Sequence, residues 1–485
     1  MRLFEMLLAV ATLIALLATL PVKNPRPRLL LGLWTGSVLL AVLHAIVEKS
    51  RWQLGLVYVI LGLLAIPTFL TWRKRHEETP SAKRRRWPRI VAVVLGTLGI
   101  VVSGLLAALL PVFSSPSPTG PYPVGVTSYE WVDLERTDEH PKTPSGHRRL
   151  VVKIWYPAAP SDAPQELYLD KSHAEGIARD FKLPGFVLSH LALVRTNARR
   201  DVALASGNET FPVVLFSHGY AMAPEVYAFA VEQLASHGYV VVSIAHTYDG
   251  AYVVFRDGTH ASFEPAGDMK RMDTMLKAIE PRLLVWMADA RFVLDQVTKL
   301  NTSEERFKGR LDLEHVGYAG HSFGGATAYA VHAVDPRFKA ALDMDGALFG
   351  SVEQARPTQP FMLMNADYPS LTDEDVARVG MTRKEFDAFF GQLESHWAAS
   401  TEPTKGARYR VQIAGTTHGG FSDLPSGVPA FFSGSLPTLE AHRLINQYSL
   451  AFFDQYLKGQ SSPVLVGPAA DSAVKLTSHP AAPNP

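Results

Sequence analysis

The 485-residue chain contains no cysteine. This excludes disulfide bonds, thiol catalysis and thiolate metal sites, but it leaves the compartment open, because an exported domain of this size is stable without disulfides. An excess of either charge is also missing. The 47 lysines and arginines against 46 aspartates and glutamates argue against nucleic acid as a partner. No internal repeat is evident. What the chain has in abundance is apolar sequence, concentrated at its start.

Residues 1–113 hold four apolar runs, Leu3–Leu20, Leu29–Val47, Leu54–Thr71 and Ile90–Phe113. Each is close to the roughly 20 residues that cross a bilayer as a helix. A cleaved signal peptide would be a single run. Buried helices of a soluble protein would carry polar stripes, and these do not. The segment therefore reads as four transmembrane helices embedding the chain in a cell membrane. Basic residues gather in the first connecting loop (Lys23, Arg26, Arg28) and the third (Arg73, Lys74, Arg75, Lys83, Arg84, Arg85, Arg86, Arg89). The second loop has only Lys49 and Arg51, beside Glu48. The positive-inside rule places loops one and three in the cytoplasm, with both termini and the large C-terminal domain outside. Gly32 with Gly36, and Gly99 with Ser103, are small-residue pairs suited to close helix packing. His44 reads as a packing residue near the interface.

Residues 114–123, rich in Pro and Ser, read as a semi-rigid spacer. Over residues 124–460 strand and helix patterns alternate. Short apolar runs at Arg149–Tyr156, Pro212–Ser217, Tyr239–His246, His315–Ala319, Ala340–Met344, Pro360–Asn365 and Tyr409–Ala414 predict strands buried on both faces. Helical patterns lie between them at Glu225–His237, Arg282–Leu300, Gly325–Val334 and Leu439–Lys458. The alternation predicts an α/β fold with a mostly parallel central sheet. Two segments interrupt it, Ser161–Glu209 and Tyr368–Gly406, as lids or as decoration. The tail, residues 461–485, is expected to be disordered from its Pro, Ala and Ser content.

Gly320-His321-Ser322-Phe323-Gly324-Gly325 carries the chemistry. It fits G-x-S-x-G between a strand pattern and a helix start, the context of a nucleophile elbow. There a serine on a tight turn is lifted above the sheet edge. A serine hydroxyl needs a base, and the base needs a third group to orient it. In α/β-hydrolases the order is Ser, acid, His. His418, in the loop Gly415–Phe421 directly after a strand pattern, is the candidate base; His396 and His442 fall in helical patterns. The acid belongs at the C-terminal end of the strand after the nucleophile helix, where open α/β sheets build their sites. That strand ends in Asp343-Met344-Asp345-Gly346. Strand alternation would point both aspartates to one face, and Asp345, nearer the loop, is the candidate acid. A metal-binding D-x-D is the alternative, but no further ligand cluster supports it. The backbone N–H of Tyr220, in the turn after Leu215-Phe216-Ser217-His218-Gly219, pairs with that of Phe323 as a candidate oxyanion hole. His218 precedes the serine, the wrong order for a base, and reads as a turn-shaping residue.

Four runs together carry a family resemblance: Ile154-Trp155-Tyr156-Pro157, Leu215 to Gly219, Leu234-Ala235-Ser236-His237-Gly238-Tyr239, and Gly320 to Thr327. Over roughly Val124 to Lys458 the chain resembles the platelet-activating factor acetylhydrolase family, plasma-type lipases of the α/β-hydrolase fold. The resemblance implies a triad at Ser322, Asp345 and His418 and oxyanion donors at Tyr220 and Phe323. It also implies esters with short or modified acyl groups, phospholipid-like ones included. Ala221 stands where the family often has glycine, and the multi-span segment is an addition to the family pattern.

The reading is thus a membrane-anchored serine ester hydrolase acting on small-molecule or lipid esters, with no cofactor or metal required. The alternative is a membrane-bound binding or signalling protein that keeps a hydrolase fold without turnover.

Overall fold

A computed structural model describes residues 1–20, 27–74, 87–138, 146–267, 271–349, 357–366, 368, 372–378 and 380–481. Four helices open the chain: α1 (Leu3–Leu17), α2 (Pro27–Val47), α3 (Gly55–Lys74) and α4 (Trp87–Leu109). Three of them, not the expected four, are long and apolar enough to cross a membrane, over Arg28–Val47, Trp52–Leu70 and Trp87–Leu109. The 15 residues of α1 span only about 22 Å at 1.5 Å per residue, against about 30 Å of hydrocarbon. The apolar run continues beyond α1, but the helix stops short of Pro21.

Helix α1 is held by charge at its start. Glu5 takes two hydrogen bonds from Arg51, each 2.7 Å. Arg51 also donates to the Leu110 carbonyl at 2.8 Å, so one guanidinium joins α1, the α2–α3 loop and the end of α4. His44 packs against Tyr58, its Nδ1 2.9 Å from the tyrosine hydroxyl. Of the small-residue pairs, Gly99 does approach a neighbour closely, 3.0 Å from Ile60 at the position of an added Cβ. Gly32 and Gly36 have nothing within 4 Å of such an atom among the described residues, so no close approach requires a glycine there. Residues 21–26 and 75–86 of the two basic loops lie outside the described residues.

The rest of the chain builds one large sheet. Its strands are β1 (Val124–Thr137), β2 (His147–Pro157), β3 (Gln165–Leu167), β4 (Arg195–Arg200), β5 (Phe211–Ser217), β6 (Val240–Ala245), β9 (Leu311–His321), β10 (Phe338–Met344), β11 (Phe361–Asn365), β12 (Arg408–Ile413) and β13 (Val474–His479). A separate two-stranded ribbon pairs β7 (Val253–Val254) with β8 (His260–Ala261). Among the described residues the large sheet runs β13-β12-β11-β10-β9-β5-β6-β2-β1-β4-β3. The six strands from β12 to β6 are mutually parallel.

Every residue of β5 and β6 is buried, which is why both read as unbroken apolar runs. Side chains alternate across the sheet. Val214 and Phe216 join a core with Val231 and Phe452, whereas Val213 and Leu215 face Val293 and Val331 on the other side. Helices thus cover both faces: α5 (Lys171–Asp180) and α6 (Ala228–Ser236), then α7 (Met272–Ile279), α8 (Arg282–Ser303) and α9 (Phe323–Val334), with a C-terminal helix over Thr438–Leu457.

Two expectations change. Part of Ser161–Glu209 is neither lid nor decoration, because β3 and β4 extend the sheet edge beside β1. The tail is not disordered as a whole either. β13 pairs antiparallel with β12 from Arg408↔His479 to Ile413↔Val474, and Leu465 is buried in the core. The short alternation Val474-Lys475-Leu476-Thr477 is easily lost in a Pro- and Ala-rich tail, and the strand's backbone hydrogen bonds come from an edge formed elsewhere in the chain.

The N-terminal helices and the domain touch. Trp52, in the α2–α3 loop, donates through Nε1 to the Val187 carbonyl at 3.2 Å and stacks edge-on against Phe186.

Candidate active site

The sheet register brings three loops to one place. In β9 and β10, Gly320 pairs with Asp343 and His321 with Met344, so the serine turn emerges beside the aspartates. Ser217 at the end of β5 pairs with Gly320 from the other side, setting the Tyr220 turn next to the elbow.

Ser322 caps α9 with φ 56° and ψ −120°, a conformation in which a side-chain-bearing residue is strained by roughly 1–3 kcal/mol. Its own N–H donates to the Met344 carbonyl at 2.8 Å, which pins the turn to β10. The neighbouring glycines are required by contact. A Cβ on Gly324 would lie 2.1 Å from the Ser217 carbonyl oxygen, and one on Gly325 would lie 1.9 Å from Asp343 Oδ1.

Ser322, Asp345 and His418 are brought into one hydrogen-bonded line. His418 Nε2 is 3.0 Å from Ser322 Oγ, and His418 Nδ1 is 2.7 Å from Asp345 Oδ2. The Asp345 side chain is fully buried, while that of His418 is 45% exposed, so the line runs from the interior to solvent. Asp345 does not continue the strand, as its φ of 63° turns it out of β10. The two aspartates therefore do different things. Asp345 Oδ1 accepts from the Ala366 N–H at 2.9 Å, leaving Oδ2 for the imidazole. Asp343 Oδ1 accepts from the Gly346 N–H at 2.7 Å and braces the turn beneath Ser322. Complete burial, with the Asp345 charge adding to it, pushes the Asp343 carboxyl well above the usual carboxylate range.

The amides of Tyr220 and Phe323 have no acceptor among the described residues, and the Phe323 N–H lies in the first turn of α9, where a helix terminus favours an anion. Their rings are 6.0 Å apart, edge to face, with Phe263 against Tyr220 and the buried Phe349 against Phe323. Ala221 holds φ 65° without being glycine, at a cost of about 1 kcal/mol. Its N–H donates to the Asp249 carbonyl at 2.8 Å, and that bond holds the turn in shape. His218 is buried and shapes the same turn: Nδ1–H donates to the Gly219 carbonyl at 2.7 Å, and burial pulls its pKa down to about 3. His442 lies away from the serine, donating to the Ser422 carbonyl at 3.0 Å.

Three contributors had no reading in the sequence. The Tyr368 hydroxyl donates to Asp345 Oδ2, giving the carboxylate a second donor. It comes from the irregular segment after β11, which carries no pattern. His321, inside the motif, donates Nε2–H to the His418 carbonyl at 2.9 Å and takes the Tyr227 hydroxyl on Nδ1 at 2.9 Å. Tyr227 in turn accepts from the Gly219 N–H at 2.8 Å. One chain of bonds thus ties the Tyr220 turn, the elbow and the His418 loop. Burial, with His418 nearby, holds the His321 imidazole well below its ordinary pKa and keeps it neutral, as this donor–acceptor pattern requires. The variable position of G-x-S-x-G offers no signal for such a role.

The profile of the family described as platelet-activating factor acetylhydrolase, isoform II, matches residues 111–282 and 287–463. The chain belongs to this family. A platelet-activating factor acetylhydrolase of Cavia porcellus is 25% identical over 70% of this chain and 78% of its own length. A probable 1-alkyl-2-acetylglycerophosphocholine esterase of Arthroderma benhamiae is 23% identical over 78% of this chain and 97% of its own. Among solved structures, a ferulic acid esterase from Streptomyces cinnamoneus superposes with a TM-score of 0.60 at 27% identity, covering 76% of this chain and 99% of that one. With acetylhydrolase and esterase relatives on the same α/β architecture, this family member is an ester-hydrolysing enzyme.

Proposed function

We propose that the chain is a membrane-anchored serine esterase in which Ser322 is the nucleophile, His418 the general base and Asp345 its orienting acid. The single observation that carries this reading is the Ser322–His418–Asp345 line, with distances of 3.0 and 2.7 Å. Asp345 accepts the Nδ1–H of His418, so Nε2 faces Ser322 as a proton acceptor. Ser322 Oγ attacks the ester carbonyl as its proton passes to Nε2. The negative oxygen that forms is met by the N–H groups of Tyr220 and Phe323. His418 hands the proton to the departing alkoxide, and a water activated by the same imidazole then cleaves the acyl-enzyme.

The substrates are esters with short or modified acyl groups, phospholipid-like amphiphiles among them. The relatives' names support that class. The membrane helices raise the local concentration of such amphiphiles without a tight binding site.

A fluorophosphonate probe should label the native chain and leave Ser322→Ala unlabelled, with ester hydrolysis lost in parallel. Labelling that survives in Ser322→Ala would overturn the assignment.

In the proposed topology the catalytic domain lies on the extracytoplasmic side. The basic residues before α2 and between α3 and α4 support this, and the domain packs at the opposite end of the bundle, against Trp52. Reporter fusions ending after Trp87 and after Pro123 are expected to report opposite compartments. A cytoplasmic signal at Pro123 would reverse the topology.

A further inference from the structure

A second Ser–His–Asp line lies wholly inside the domain. Ser217 Oγ is 2.8 Å from His246 Nε2, and His246 Nδ1 is 2.9 Å from Asp289 Oδ2. All three residues are completely buried, so none meets a substrate. Asp289 also receives two bonds from Arg148, at 3.1 and 2.7 Å. Burial alone would raise the Asp289 carboxyl, but Arg148 and the His246 bond outweigh it and hold it ionised. Bond direction then follows. The carboxylate accepts from Nδ1–H, which leaves Nε2 bare, so Ser217 must donate its proton there. With its proton given to His246, Ser217 Oγ accepts from the Tyr318 hydroxyl, 2.8 Å away.

The place of this line matters more than its resemblance to the exposed one. Ser217 is the last residue of β5, and the turn from His218 to Met222 begins at the next residue. His246 holds that turn twice, through Ser217 by its side chain and through His218 by its N–H, which donates to His218 Nε2 at 3.1 Å. The Trp286 ring stacks flat on His246, with 3.7 Å between centroids, and fixes its plane. On the far side the Ser217 carbonyl meets Gly324, two residues after the nucleophile. The turn is thereby clamped between a directional polar chain and the elbow. A buried polar chain gives up stability relative to apolar packing, but it admits one geometry only.

We propose that Ser217, His246 and Asp289 are positioning residues that hold the His218–Met222 turn so that the Tyr220 N–H stands beside that of Phe323 at the oxyanion site. The proposal rests on the hydrolase reading above.

The test uses the full-length protein with a soluble ester, with kcat expressed per site titrated by fluorophosphonate, so that unfolded molecules are not counted. Ser217→Ala removes the donor to His246, and His246→Gln breaks the line at its centre; either variant alone carries the test. For both, kcat should fall about 10- to 100-fold with KM changed by less than about threefold, since a displaced donor acts on the transition state. Affinity for a trifluoromethyl ketone, whose adduct bears an oxyanion, should fall in step with kcat/KM. Tyr318→Phe leaves the Ser217–His246–Asp289 line intact and should lower thermal stability with kcat per site within about twofold of native. The proposal is overturned if Ser217→Ala and His246→Gln lose stability while kcat per site and ketone affinity stay native, or if Tyr318→Phe loses as much kcat as they do. Ser322→Ala in parallel separates the two levels. Full activity there removes the hydrolase reading itself, whereas its inactivity beside an unimpaired Ser217→Ala removes only the positioning role.

Discussion

Asparagine at position 345 is expected to lower kcat about 10⁴-fold with the fold intact, the scale of loss when a triad acid becomes an amide. The geometry says why. Oδ1 of Asp345 accepts the Ala366 N–H, and Oδ2 accepts from His418 Nδ1 and from the Tyr368 hydroxyl. An asparagine keeps its carbonyl oxygen toward Ala366, where a donor waits, and so turns its NH₂ toward His418. That group donates, so Nδ1 must become the acceptor and the ring proton moves to Nε2. An imidazole with Nε2–H facing Ser322 cannot take the serine proton. Asp343→Asn should cost far less, under about tenfold in kcat, because Asp343 Oδ1 accepts the Gly346 N–H and an amide oxygen can accept the same bond. Steady-state kinetics on both purified variants, with circular dichroism to check folding, decide the matter. A larger loss in Asp343→Asn would exchange the roles of the two aspartates.

Gly324→Ala is expected to damage stability and activity together. The added Cβ would sit 2.1 Å from the Ser217 carbonyl oxygen and 2.5 Å from that of His218, both backbone atoms that cannot swing aside. Alanine gains up to about 1 kcal/mol in helix propensity over glycine. Overpacking of this kind typically costs about 1–3 kcal/mol, so the clash wins. Relief requires the elbow and the Tyr220 turn to part, and a misplacement of about 1 Å at the reacting atoms is worth about 10²-fold in rate. The expected result is a lowered Tm with kcat/KM down by about 10²-fold. Native activity with a raised Tm would mean that elbow and turn are not packed as described.

The two aspartates mark a limit of pattern reading. Alternation along β10 puts Asp343 and Asp345 on one face, and their spacing alone does not separate an acid from a brace. The strand ends at Met344, and the left-handed backbone of Asp345 breaks the alternation at the residue that matters. Helix α1 is a similar case. Its apolar run is long enough for a span by composition, but the helix ends at Leu17. β13 is the converse, an element whose only signal of its own is the short alternation Val474–Thr477 and which forms because β12 offers an open edge.

What the amino-acid order determined by itself was local. Each buried parallel strand is a short apolar run, each covering helix has its own periodicity, and the elbow's serine and glycines stand within six residues of one another. The succession of serine, aspartate and histidine along the chain is likewise a linear property, and so is the apolar start. Tertiary structure decided whatever needed atoms far apart in sequence. It brought Tyr368 to the Asp345 carboxylate, strung Gly219, Tyr227, His321 and His418 on one line of bonds, and set Ser217, His246 and Asp289 inside the core. The physical reason is that a hydrogen bond is fixed by about 3 Å of space and a donor direction. Both are set by sheet register across tens to hundreds of residues, and no local pattern encodes that register.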